Sequence, residues 1–332
     1  MTDTGQSSAE LIYALRRVTE RAACAAFDWI GRGKSKEGDQ AAVNAMRSAL
    51  MQIDLDGTVV IGEGEKDEAP QLYNGEQVGR SDAAFKADIA VDPVEGTSYL
   101  AKGLTNALAV IAVAPRGSMM DPGPAFYMEK FAAPPVARGK IDPAWPTARK
   151  LETLADCLDK DVAALTVFVL EKPRHRQLVE EIHDTGARVA LYPAGDVAGA
   201  LLAAIPQSGI DALMGTGGTP EGIMSACAIR ALGGEFVGRI DPQLQTEAQA
   251  VEVAGLDTSR WYQRDELVTS ENAFFCATGI TTGLMLEGVE RSKDYTKVQT
   301  LMIVGCTRER QVLTSYLPAE PAVQEQTARD VA

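Results

Sequence analysis

Apolar residues recur at helical spacing near the start of the chain. Leu11, Leu15, Val18, Ala22, Ala25 and Trp29 share one face of the segment 9–30. That pattern predicts an amphipathic helix stopped by Gly31 and Gly33. A second helix is predicted from about Gln40, with Val43, Met46, Leu50 and Ile53 on one side and Asp39 as its N-cap. The period then changes. Residues 58–61, 87–91 and 107–113 form short, almost unbroken apolar runs, as strands covered on both faces do. The first closes on Gly62-Glu63-Gly64-Glu65 and the second on Asp92-Pro93.

A Pro-rich stretch follows, and the composition shifts again after Lys150. Beyond it, strands predicted over 165–170, 188–191 and 210–214 alternate with helices over 175–184, 197–205 and 220–232. This βαβ alternation predicts a sheet joined by right-handed crossovers. The expected organisation is an N-terminal lobe (1–155), a C-terminal lobe (156–317) and a solvated, disordered tail (318–332) rich in Pro, Glu, Gln and Ala.

Charge narrows the function. With 32 Lys and Arg against 46 Asp and Glu, the 332-residue chain carries a formal net charge of −14. That balance argues against nucleic-acid and anionic-membrane partners. An anionic small molecule would need a local reversal of the field, which bound cations could provide. Five cysteines lie far apart, no CxxC occurs, and His175 and His183 are the only histidines. A Cys/His zinc site is therefore excluded, and the thiols read as buried groups in a reducing cytoplasm. The N-terminus lacks the basic and apolar regions of a signal peptide, and no stretch approaches a membrane span.

Acidic residues fall at strand ends. Glu63 and Glu65 follow one strand, Asp92 and Glu95 another, and Glu221 opens a helix after a third. Ligand sites of open α/β sheets lie beyond the carboxyl ends of the strands, so these groups can converge. Clustered carboxylates repel unless cations neutralise them, and oxygen ligands without His or Cys select Mg²⁺ or Mn²⁺. In Asp92-Pro93-Val94-Glu95-Gly96-Thr97 two acids, an anion-accepting turn and a hydroxyl lie within six residues. Gly96, lacking Cβ, lets a phosphate approach the backbone N–H groups there. Lys172-Pro173-Arg174 places two cations on a stiff turn of an otherwise acidic chain, suited to a phosphate that does not react. Asp39 alone reads as a helix cap, and His175 as a surface residue without catalytic role.

The Asp-Pro-Val-Glu-Gly-Thr run resembles the signature of the Mg²⁺-dependent, lithium-sensitive phosphatases. Glu95, where most of that superfamily has Asp, resembles the class II fructose-1,6-bisphosphatases. Further matching segments are Gly38-Asp39, residues 61–70, Phe126 to Lys130, Lys172 to His175, Gly195-Asp196 and Pro220-Glu221-Gly222; the similarity runs from about residue 9 to about 315. The resemblance implies a layered α-β-α-β-α sandwich, a homodimer or homotetramer, and hydrolysis of a sugar bisphosphate. It implies metal ligands at Asp39, Glu63, Asp92, Glu95 and Glu221, with Asp92, Glu95 and Thr97 serving catalysis. Substrate contacts carry over to Glu95, Gly96, Thr97, Tyr127, Lys172, Pro173, Arg174, Ala194, Gly195, Asp196 and Gly218. Ala194 departs from the family's Asp-Gly-Asp, which removes one polar contact to the sugar, and Lys34 and Lys36 have no assigned role. The expected substrate is fructose 1,6-bisphosphate, cleaved at the 1-phosphate. Sedoheptulose 1,7-bisphosphate is the nearest alternative; an inositol-phosphate phosphatase and a non-catalytic sugar-phosphate sensor stand further off.

Overall fold

The computed structural model describes residues 8–64 and 71–318; Glu65 and the 319–332 tail lie outside them. Two mixed sheets organise the chain. The first contains β1 (Asp56–Ile61), β2 (Gln77–Gly79), β3 (Lys86–Glu95) and β4 (Leu108–Pro115). It is completed by β11 (Phe274–Gly279), β12 (Glu290–Arg291), β13 (Tyr295–Val304) and β14 (Glu309–Pro318). Its order is β12-β13-β11-β4-β3-β1-β2, with β14 along the free side of β13. The second sheet runs β10-β9-β5-β8-β6-β7. Its strands are β5 (Tyr127–Ala133), β6 (Thr166–Leu170), β7 (Arg188–Tyr192), β8 (Ala212–Gly218), β9 (Glu235–Ile240) and β10 (Tyr262–Gln263).

Helices fill three layers around the sheets. Outside the first sheet lie α1 (Ser8–Phe27) and α2 (Ser35–Leu50), and the short α3 (Thr97–Lys102) packs on α2. Outside the second lie α4 (Thr147–Leu158) and α5 (Arg176–Asp184). Between the sheets run α6 (Asp196–Ala204) and α7 (Thr219–Leu232), both apolar on nearly every face. A helix hydrophobic all round belongs between two covered surfaces. Two further helices, α8 (Gln245–Val253) and α9 (Arg264–Leu267), flank β9 and β10. The result is the expected α-β-α-β-α layering.

Strand alternation explains the layers. In β4, Ala109, Ile111 and Val113 pack toward α1 and α2, while Val110, Ala112 and Ala114 pack toward α6 and α7. In β6, Val167 and Val169 join the outer cluster of α4 and α5, and Phe168 and Leu170 the central one. With period 2, each sheet must be apolar on both faces, which is why its strands read as continuous apolar runs.

Three sequence expectations change. The sheets do not divide at residue 155: β5 already belongs to the second sheet, and β11 to β14 return to the first. That return is long-range antiparallel pairing, such as Phe274 opposite Val113, which local pattern does not encode. Asp39 is not an N-cap; α2 begins at Ser35, and Asp39 lies one turn inside it. Pro318 ends β14 rather than opening the tail. The expected parallel set is present, with β6 pairing β7 and β8 in parallel.

Candidate active site

A bulge in β3 builds the first part of the site. Asp92 pairs with Val110, but Glu95 pairs with Leu108, so three steps on β3 match two on β4. Strict alternation would send Asp92 and Glu95 to opposite faces. The extra residue, at a proline that cannot donate to the ladder, brings Glu95 round to the side of Asp92. The Val94 N–H donates to Asp92 Oδ1 at 3.0 Å and fixes that carboxylate. Glu95 is buried, and its Oε1 accepts from the Val197 N–H at 3.3 Å, at the N-terminus of α6 where negative charge is favoured.

Glu221 enters from the first turn of α7. One oxygen each from Asp92, Glu95 and Glu221 lie within 4.8 Å of one another. Glu63, following β1, reaches the same cluster and is hydrogen-bonded to Asp39 of α2. Three of the five expected cation ligands thus converge from β3 and the central helix α7, with Glu63 next to them and Asp39 next to Glu63.

Their mutual charge is relieved only in part, by Lys130 acting on Glu221. Burial, then Asp39, raise Glu63 to about 8; burial, then Asp196 and Glu221, raise Glu95 to about 8. Burial, then Glu95, Glu63 and Glu221, hold Asp92 well above the usual carboxylate range. Asp39 and Glu221 are also raised, in both cases mainly by burial. Among the described residues, Glu221 Oε2 is buried without a hydrogen-bond partner. Carboxylates at this density, one with an orphaned oxygen, fit hard divalent cations in an all-oxygen site. Among the described residues no histidine or cysteine joins the cluster.

The residues expected to contact substrate divide between two places. Gly96, with φ +86°, ends β3 and turns the chain into α3, whose first residue is the exposed Thr97. A side chain at Gly96 would also strike Tyr99, its Cβ lying 2.6 Å from Tyr99 Cδ2. Tyr127, Arg174 and Gly218 meet at the end of the second sheet. Tyr127 pairs with Gly218 in register, and the Arg174 guanidinium lies 5.0 Å above the Tyr127 ring. Arg174 Nε and Nη2 both donate to the Thr216 carbonyl, at 3.0 and 2.8 Å. Lys172 and Pro173 start the same turn. Gly218 lies against the carboxylate cluster, since a Cβ there would sit 1.7 Å from Glu221 Oε2. Ala194 and Gly195 lead into α6, which Asp196 opens. Lys34 and Lys36 are exposed at the start of α2.

The chain pattern passes over three residues. Lys130, 2% exposed on β5, is ion-paired to Asp196 at 2.5 Å. A lysine at the position alternating with the inward-facing Met128 and Ala132 is the signal that would have marked it. Tyr99 binds the backbone of Ala194. His175 is buried rather than at the surface: its Nε2 accepts from the Thr216 N–H at 2.8 Å, so its Nδ1–H donates to the Leu170 carbonyl at 2.7 Å. It braces the Lys172–Arg174 turn against β8, and burial favours its neutral form.

The chain belongs to a phosphatase family. Residues 9–316 match the family described as bacterial fructose-1,6-bisphosphatase, glpX-encoded. The chain is 44% identical over 314 residues to the class 2 fructose-1,6-bisphosphatase 1 of Escherichia coli K12, covering 90% of this chain and 92% of that protein. The class 2 fructose-1,6-bisphosphatase of Shigella flexneri matches with the same identity and coverage.

Proposed function

We propose that this protein removes the 1-phosphate of fructose 1,6-bisphosphate with Mg²⁺ or Mn²⁺, releasing fructose 6-phosphate and orthophosphate. The observation that carries the reading is the convergence of Asp92, Glu95 and Glu221 within 4.8 Å, with Asp39 and Glu63 beside them. Family membership supports the substrate class and sets aside an inositol phosphate.

Cations held by these five carboxylates would supply charge neutralisation and a more acidic water. The other roles belong to the chain. Lys172 and Arg174 hold the 6-phosphate, with Tyr127 beneath the guanidinium, and Asp196 accepts from a sugar hydroxyl. Glycine at 96 leaves the backbone N–H groups at the head of α3 open to the scissile phosphate. Thr97 orients the attacking water. Water oxygen bonds to phosphorus as the bond to the C1 oxygen breaks; the water's proton passes to a carboxylate and from it to the departing C1 oxygen, which leaves as the sugar hydroxyl. Positioning and charge must provide most of the rate, because monoester hydrolysis is intrinsically very slow.

The reading extends to a cytoplasmic homodimer or homotetramer. The buried thiols of Cys227 and Cys276, both pushed upward by burial, suit a reducing compartment. No helix among the described residues is long and apolar enough to cross a membrane. The test is orthophosphate release from fructose 1,6-bisphosphate and sedoheptulose 1,7-bisphosphate, each with Mg²⁺ and with Mn²⁺. Release from the first, cation-dependent, is expected. Silence toward it in both metals overturns the assignment.

A further inference from the structure

Lys130 has no counterpart in the roles assigned above, yet it sits at their centre. On β5 it shares the inward face with Met128 and Ala132, while Phe131 and Ala133 face the outer layer. Its neighbours leave it one partner. The Nζ is 2.5 Å from Asp196 Oδ2, and the side chain is walled by glycines. A Cβ on Gly222 would lie 3.2 Å from Lys130 Cε, and one on Gly217 would lie 3.2 Å from Nζ and 2.0 Å from Asp196 Oδ2.

The partner matters because of what surrounds it. Asp196 opens α6, one residue before the N–H that binds Glu95, and so stands beside the carboxylate cluster. Its charge acts on both Glu95 and Glu221, and Lys130 opposes it at Glu221. Left alone, a sixth carboxylate there would be drawn into the cation set. It is also the sole acid of the 194–196 loop, since position 194 is alanine.

We propose that Lys130 is a positioning residue for substrate: by tying Asp196 to the second sheet it reserves that carboxylate for the sugar hydroxyls and keeps it out of the cation-binding set. The inference rests on the proposed sugar-bisphosphate site. Lys130 touches neither substrate nor cations; its hydrogen bond goes to Asp196.

The experiment is a double-mutant cycle on the cation-loaded enzyme, with kcat and KM for fructose 1,6-bisphosphate and the half-saturating Mg²⁺ concentration as readouts. Lys130→Met should raise KM about 10- to 100-fold, the range for losing one charge-assisted hydrogen bond, with kcat and Mg²⁺ half-saturation little changed. Asp196→Asn should do likewise. The double variant should be no worse than Asp196→Asn alone, because coupled residues are non-additive. If Lys130→Met does not fold, the double variant, which removes both buried charges, is compared with Asp196→Asn. Equal KM values then support the inference. Additive losses, an unchanged KM in Lys130→Met, or a shift in Mg²⁺ half-saturation in place of KM overturn it. A wild-type enzyme that releases no orthophosphate would instead overturn the functional reading.

Discussion

The Tyr99 hydroxyl donates to the Ala194 carbonyl at 2.7 Å and accepts from the Ala194 N–H at 3.1 Å. A side chain of α3, at the end of the first sheet, therefore holds the backbone of the loop that starts α6. Thr97 lies two residues before Tyr99 and Asp196 two after Ala194, so this reciprocal pair ties the segment carrying Thr97 to the one carrying Asp196.

Tyr99→Phe removes both bonds and keeps the buried ring. It should raise KM for the bisphosphate while costing about 1–3 kcal/mol of stability, as expected when partly buried backbone groups lose their partner. Steady-state kinetics beside thermal unfolding read this out. An unchanged KM would show that the loop is held by its other contacts.

Cation dependence should be complete and should vary with pH. Chelation with EDTA is expected to abolish turnover, and Mg²⁺ or Mn²⁺ to restore it. Glu63 and Glu95 rise to about 8 without cations. Protons compete for the ligand oxygens, so apparent cation affinity should strengthen as pH rises toward and past 8. Stability of the cation-free protein runs the other way. Raised acids bind more protons folded than unfolded, so their contribution is full below the ordinary value of 4.5 and is lost as pH rises through about 8. Melting in EDTA should therefore fall over that window, and Mg²⁺ should reverse the fall. A flat profile would place the cations elsewhere.

Arg174→Ala should weaken substrate more than it slows chemistry. The loss expected is about 2–4 kcal/mol in kcat/KM, that of removing one partner of a charge-assisted pair. Part of it would be kinetic, because Arg174 also anchors the Thr216 carbonyl just before Gly217 and Gly218. Unchanged kcat/KM would move the distal-phosphate clamp off this turn.

Thr97→Val keeps the volume and removes the hydroxyl at the head of α3. It should lower kcat by about 10²–10⁴-fold, the range for a positioned proton-transfer group, with substrate affinity by calorimetry preserved. Thr97→Ser should retain more activity, since only the methyl is lost. Wild-type turnover in Thr97→Val would leave water activation to the carboxylates and cations.

Much of this protein is written locally. The acids at 63, 92, 95 and 221, the Gly96-Thr97 turn and the Lys172–Arg174 turn stand at element ends that short-range pattern marks, because strand period, proline and glycine act within a few residues. Tertiary structure decided the remainder. That β11 to β14 rejoin the first sheet depends on pairing across more than 150 residues, as between Phe274 and Val113, for which no local propensity exists. The bulge that turns Glu95 toward Asp92 is a matter of register between β3 and β4, and register belongs to the pair of strands rather than to either one. Lys130 is a charged residue alternating with Met128 and Ala132 until Asp196 arrives on another element, 66 positions away, and only burial makes that pairing matter.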